Sequence, residues 1–185
     1  MSLLEIIGFI LTIIGVILAS NQTIFTWVIS VFSPVIYVVV FYNSKLYADA
    51  LLQIFFILLA IYGYFKWKNK QLISKSSVRN WLPGEVYFGS AFVLIATILF
   101  YFFLKIFTNS DVPLADGFLT SLSILATFYT AKKIIQNWLI WIIADVLYTV
   151  LFFYKELYIT ALLYLILVVL AIYGLIQWKK QIQAF

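Results

Sequence analysis

Residues 26–68 read TWVISVFSPVIYVVVFYNSKLYADALLQIFFILLAIYGYFKWK, and residues 137–179 read NWLIWIIADVLYTVLFFYKELYITALLYLILVVLAIYGLIQWK. Laid over one another at a constant offset of 111, the two stretches need no gap and share 18 identities in 43 positions. The matched landmarks include Trp27 with Trp138, Tyr37 with Tyr148, Phe41 with Phe152, Ala60-Ile61-Tyr62-Gly63 with Ala171-Ile172-Tyr173-Gly174, and Trp67 with Trp178. Two apolar helices resemble one another by composition alone, but chance does not hold register across a loop while aligning Tyr, Gly and Trp together. The chain is internally duplicated.

The rest of the sequence says what medium the duplicate lives in. Hydrophobic residues make up 65% of the chain and charged residues 10%, with a mean hydropathy of +1.10, far from soluble usage. An all-α integral membrane protein follows, with seven spans expected at Leu3 to Ala19, Thr23 to Tyr42, Tyr47 to Trp67, Val86 to Phe107, Gly117 to Ala131, Asn137 to Tyr154 and Tyr158 to Trp178. The fifth is the shortest. The first lacks a basic leader and carries Glu5, so it reads as a retained helix, not a signal peptide. One membrane domain, 1–185, divides into a first three-helix repeat (1–67), a basic loop and linker helix (68–116) and a second repeat (117–185).

Three is an odd number of crossings, so a second copy following directly would be inverted in the membrane. The unpartnered fourth span adds the crossing that makes the copies parallel, a 3+1+3 arrangement like that of SWEET-type transporters, which bind substrate near the midplane between repeats. Lys66, Lys68, Lys70, Lys75 and Arg79 follow the third span, Lys132 and Lys133 the fifth, and Lys179 and Lys180 the last. The opposite side receives Lys45, Lys105 and Lys155 beside Asp111, Asp116 and Glu156. The positive-inside rule then sets the N-terminus outside and the C-terminus in the cytoplasm. The net charge of +5 is topogenic, and no nucleic-acid partner is needed to account for it.

Within the second copy, Trp138, Trp141, Asp145 and Tyr148 fall in an arc of roughly 80° on one helix face, with Asn137 beside it. The equivalent face of the first copy shows Trp27, Ser30, Pro34 and Tyr37, so the aromatic ends persist while the polar middle differs. A carboxylate inside a membrane costs about 2.5 to 3.5 kcal/mol, and this chain offers no Lys, Arg or His at that depth to pair with it. Asp145 either meets a cation brought from outside, for which the indoles supply a cation-attracting stacking surface, or is protonated and bonded to a polar neighbour in helix packing. Gln53 is the second polar candidate, to read a ligand or to bond across helices; its repeat partner is Tyr164. Asp49, near the outer end of its span, reads as solvated. Pro34 offers a hinge, and Gly63 and Gly174 read as close-packing positions.

Without Cys or His the chain has no disulfide framework, no thiolate metal site and no imidazole base, and no cofactor is implied. Asp145 alone, without a second acid, metal set or nucleophile, supports no named reaction, so the chain does not read as an enzyme. A non-transporting scaffold remains the alternative class, in which the aromatic faces would point outward at partners.

KLYADALLQIFFILLAIYGYFKW around Gln53, NWLIWIIAD from Asn137 to Asp145 and KELYITALLYLILVVLAIYG after it make the chain similar, over nearly its whole length, to the PnuC-type vitamin transporters. The resemblance implies seven helices in the 3+1+3 plan in a bacterial inner membrane. It also implies facilitated diffusion of an unphosphorylated vitamin, nicotinamide riboside or alternatively thiamine, and metabolic trapping by a cytoplasmic kinase. A homotrimer is implied too, although the family's Trp-Asn-Trp element opening the second helix is Phe25-Thr26-Trp27 here. Substrate binding is expected from Gln53, Asn137, Trp138, Trp141, Asp145, Tyr148, Trp27 and Tyr37. No basic residue lies within the spans to pair with a phosphate.

Overall fold

The computed structural model describes residues 3–43, 47–71, 78–108 and 110–183; Lys45, Lys75 and the side chains of Asp49 and Lys70 lie outside the described residues. The described residues form seven α-helices: α1 (Leu3–Ser20), α2 (Phe25–Asn43), α3 (Tyr47–Gln71), α4 (Pro83–Phe107), α5 (Pro113–Ala131), α6 (Asn137–Tyr154) and α7 (Tyr158–Gln183). Three boundaries differ from expectation by four residues or more. Helices α3 and α7 continue past Trp67 and Trp178 because the Lys and Gln residues that follow in both are good helix formers. Helix α5 begins at Pro113, where a fixed φ and a missing N–H suit a first helical position, and Asp116 in its first turn complements the helix dipole. The fifth helix is therefore 19 residues long and no shorter than its neighbours need.

Among the described residues, four helices (α4 to α7) are long and apolar enough to cross a bilayer, and α1 and α2 contain shorter apolar stretches. The outward residues are large and greasy: Leu94, Leu99, Phe102 and Ile106 on α4, and Val150 and Phe153 on α6, are each more than half exposed. Apolar surface on that scale suits lipid, not water.

The duplication reaches further upstream than the residue identities do. Gln22 and Lys133, 111 apart, both adopt left-handed backbone, with φ of 54° and 55°. Each closes the same turn: Gln22 N–H donates to Ala19 O and Thr23 N–H to Leu18 O, as Lys133 N–H does to Thr130 O and Ile134 N–H to Tyr129 O, all at 3.0 Å. From residues 18 to 26 only Ile24 is shared with its counterpart, Ile135, so backbone geometry has outlasted side-chain identity there. This left-handed step ends α1 and α5 by satisfying their last carbonyls.

Helices α2 and α3 pack together, as do α6 and α7; α1 lies on α2 and α5 on α6. The halves meet where α1 packs on α7 and α3 on α5, while α4 packs on α5. Tryptophans tie the crossings. Trp67 Nε1–H donates to Ala131 O and Trp178 Nε1–H to Ala19 O, each at 3.1 Å, so the third helix of each half bonds to the end of the first helix of the other. Trp27 meets Trp67 edge-on at 5.4 Å, Trp138 meets Trp178 edge-on at 5.5 Å, and Trp67 and Trp178 lie 6.4 Å apart, forming one buried chain of indoles. Gly63 and Gly174 make room for it: a Cβ on either would lie 2.5 Å from the ring of Trp27 or Trp138.

The linker before α4 is fastened to the α5–α6 turn. Arg79 N–H donates to Lys133 O at 3.1 Å and Ile135 N–H to Arg79 O at 2.9 Å. The Arg79 guanidinium holds both oxygens of Glu85 at 2.7 Å, Lys132 stands 3.7 Å from the same carboxylate, and Tyr129 donates its hydroxyl to the Glu85 carbonyl. Bonding to that carboxylate raises the Arg79 guanidinium above its ordinary value. Gln136 completes the fastening, donating to Asn80 Oδ1 at 2.8 Å and accepting from Trp81 N–H at 2.9 Å.

Candidate functional site

Between the halves lies a cavity of about 480 Å³, within the range of small-molecule sites. Its walls follow the duplication closely. All twelve lining residues from the second half, on α5, α6 and α7, have their counterpart 111 positions earlier also lining the cavity. Trp27 corresponds to Trp138, Ser30 to Trp141, Pro34 to Asp145, Tyr37 to Tyr148, and Gln53 to Tyr164. Helix α4 contributes nothing to the lining.

Of the side chains singled out in the sequence, Trp27, Pro34, Tyr37, Gln53, Trp138, Trp141, Asp145 and Tyr148 all line this cavity. Asn137 does not. It is fully buried, its Nδ2 donates to Ile134 O at 2.6 Å and its Oδ1 accepts from Thr130 at 3.0 Å, so its amide is spent on the α5–α6 turn. Helical spacing set it beside the aromatic face, but the first residue of a helix also faces the loop that precedes it. Pro34 sits inside a continuous α2, where it removes one backbone donor.

Asp145 is 3% exposed, and its Oδ1 has no hydrogen-bond partner among the described residues. The buried Nε1–H groups of Trp27 and Trp138 are likewise unpartnered among the described residues. Among the described lining residues there is no lysine or arginine, so the carboxylate has aromatic neighbours and no cation among them. Tyr148 and Tyr164 stack at 4.6 Å, and Phe152 joins them at 5.9 and 5.2 Å, bounding the cavity away from the indole chain. An unpaired acceptor, two unpaired indole donors and flat aromatic walls suit a planar solute with positive charge and polar edges.

Sequence reasoning missed one wall. Thr120, Ser123, Thr127 and Thr130 of α5 line the cavity, and their spacing of three, four and three residues puts them on one helix face. That spacing was the available signal. It lies in a helix whose residues carry no charge at this depth, and hydroxyls in membrane helices are common enough to pass as packing groups.

A lipid-facing helical bundle around a polar, aromatic cavity defines a multi-pass membrane transporter of small solutes. Residues 2–180 match the family described as nicotinamide mononucleotide transporter, and the chain belongs to that family. It is 25% identical to the nicotinamide riboside transporter PnuC of Escherichia coli strain K12, over 96% of this chain and 85% of that protein. It is 24% identical to the riboflavin/roseoflavin transporter RibM of Streptomyces davaonensis, over 94% and 83%. A solved structure, the crystal structure of the vitamin B3 transporter PnuC, shares the fold with a TM-score of 0.75 at 19% identity, covering 98% of this chain and 82% of the other.

Proposed function

We propose that this protein takes up nicotinamide riboside across a bacterial inner membrane by facilitated diffusion, with trapping by a cytoplasmic kinase. The observation that carries the reading is the buried Asp145 carboxylate, unpartnered among the described residues, in an aromatic cavity whose described lining holds no cation. A pyridinium ring supplies the missing charge and stacks on Trp138 or Trp141, an attraction of about 0.5 to 2 kcal/mol for each cation–aromatic contact. The name of the Escherichia coli relative supports that solute. Although the family's description names the mononucleotide, a phosphate in this cavity would find no Lys or Arg among the described lining side chains, which favours the unphosphorylated riboside. Thiamine is the second reading, because a thiazolium satisfies the same carboxylate.

The architecture we propose is 3+1+3, two parallel repeats joined by α4. It is supported by the matched lining residues, the matched turns at Gln22 and Lys133 and the reciprocal tryptophan bonds. The substrate side chains are Trp27, Tyr37, Gln53, Trp138, Trp141, Asp145 and Tyr148, with Pro34 as the hinge on which α2 bends. The basic residues Arg79, Lys132 and Lys133, gathered at one end by the linker's fastening, support a cytoplasmic C-terminus and an external N-terminus. The assembly is a homotrimer.

The test is calorimetric binding of nicotinamide riboside, thiamine and the phosphorylated form of each to the purified protein in detergent. Binding of nicotinamide riboside alone is expected, weakened about tenfold by Asp145→Asn, since one charged contact is worth about 1 to 3 kcal/mol. Silence toward all four compounds, or equal affinity for the phosphorylated forms, would sink the proposal.

A further inference from the structure

The halves meet along two seams, α3 on α5 and α1 on α7, which the offset of 111 makes equivalent. Their outer edges differ. On the α3–α5 seam Tyr62 stacks on Phe128, with ring centroids 5.8 Å apart and planes 19° from parallel. One helical turn further on stand Lys66 and Lys132, four residues beyond Tyr62 and Phe128, so two ammonium groups crown one aromatic pair from opposite sides of the seam. On the α1–α7 seam the counterparts are Tyr173, Ile17, Gln177 and Asn21, with no charge among them. The duplicated scaffold therefore closes such a seam without lysines. The positive-inside rule accounts for basic residues at this end of the molecule, but not for two that converge across one seam, where like charges repel.

The local charge is in excess. Lys132 Nζ stands 4.7 Å from the centre of the Phe128 ring and 3.7 Å from Glu85, but Arg79 already holds both oxygens of that carboxylate at 2.7 Å. Lys66, partly exposed, is in no ion pair among the described residues. Next to this charge the membrane-facing surface is recessed. Helices α3 and α4 both pack on α5 and scarcely touch one another, which leaves a crevice floored by α5, and no counterpart of α4 stands beside the α1–α7 seam. Phe128 forms the floor, with Tyr62 as one wall and Phe88 of α4, 6.1 Å from Phe128 and 52% exposed, as the other. Helical spacing continues the three sides toward the midplane through Leu58, Ile124 and Ile95. An apolar trench headed by surplus positive charge suits a molecule with an anionic head and a hydrocarbon chain.

We infer that this corner binds an anionic phospholipid of the adjacent leaflet, its phosphate bridging Lys66 and Lys132 and an acyl chain lying on Phe128 between α3 and α4. The lipid ties the first half to the second along one seam only, and it does so from outside the cavity. The inference is independent of the vitamin and of the proposed function.

The test is native mass spectrometry of the full chain in detergent, titrated with phosphatidylglycerol and with phosphatidylcholine of the same chains. Lys66→Gln, Lys132→Asn and Phe128→Ile each copy the residue at the equivalent place on the other seam, so the fold is kept, and melting without lipid checks it. A lysine beside an anionic lipid is worth about fivefold. The wild type is expected to hold phosphatidylglycerol about tenfold tighter than phosphatidylcholine, less than two lysines would give in full because Glu85 takes part of Lys132. The double lysine variant loses most of that preference and changes phosphatidylcholine less than about twofold; its two single variants lose part each and carry the test if the double one melts early. Lys68→Gln removes the same charge from the opposite face of α3 and keeps the preference, and Phe128→Ile weakens both lipids. A wild type without the preference refutes the site, and so does an equal loss in Lys68→Gln. Displacement of phosphatidylglycerol by millimolar inorganic phosphate, with both lipids indifferent to Phe128→Ile, marks a free-anion site and overturns the lipid.

Discussion

Replacing Gly174 by alanine puts the smallest possible side chain against a residue that has nowhere to go. The added Cβ would lie 2.5 Å from Trp138 Cη2 and 2.6 Å from two further carbons of the same ring. Carbon atoms reach their best separation at about 3.5 to 4.0 Å, so the indole must retreat by about 1 Å. Trp138 is 2% exposed and is braced edge-on by Trp178, whose own Nε1–H is committed to Ala19 O. Relief is available only by pushing the indole into the cavity it lines or by parting α6 from α7, and overpacking of this kind costs about 1 to 3 kcal/mol. We expect Gly174→Ala to lower the melting temperature in detergent and to weaken vitamin binding, with the thermal loss shared by Gly63→Ala through Trp27. A Gly174→Ala protein with wild-type melting and wild-type affinity would refute the claim that this glycine exists to admit the ring.

Two other perturbations act at the end of the molecule where the linker is fastened. Trp178→Phe keeps the edge-on packing and removes the donor to Ala19 O, a loss of about 1 kcal/mol, and Trp67→Phe does the same at Ala131; the double variant should lose more than either single one when melting is followed with and without vitamin. Glu85→Gln removes the charge that gathers Arg79 and Lys132, so hydrogen exchange should quicken at Arg79 and Ile135, whose amides pair the linker with the α5–α6 turn. Unchanged protection at those two amides would show that the backbone pairing holds without the carboxylate. High salt should mimic Glu85→Gln in part, because Arg79 is over a third exposed and its pairing is screened.

The helices and the duplication were legible in the sequence because both are written in side-chain type. Apolar run length marks a span, and Trp, Tyr and Gly are rare enough that their alignment carries information. Asp145 stood out for the same reason: a lone carboxylate in lipid has few explanations. What sequence could not supply was direction. Asn137 and Trp138 are adjacent, yet one turns to the loop and the other to the cavity, a distinction set by the turn at Lys133 and not by residue type. The α5 hydroxyls were visible as letters, but their place on the cavity wall depends on how α5 is turned in the bundle. The upstream part of the repeat, from α1 into α2, could be assigned only by counting spans and not by matching residues, because helix packing and a left-handed turn constrain backbone shape more tightly than they constrain the residues that fill it.

The two tryptophan bonds run in opposite senses, Trp67 reaching from the first half to Ala131 and Trp178 from the second half to Ala19. Each piece holds what the other lacks: a fragment ending before α5 carries an indole N–H whose acceptor lies on the missing piece, and the missing piece carries the converse. Severed within α4, which lends no wall to the cavity, the two pieces are complementary and should find one another when made together in one cell. On the proposed 3+1+3 plan the long helix in the middle would be a tether that keeps two modules at high local concentration, with the indole bonds near the ends of α3 and α7 holding them together.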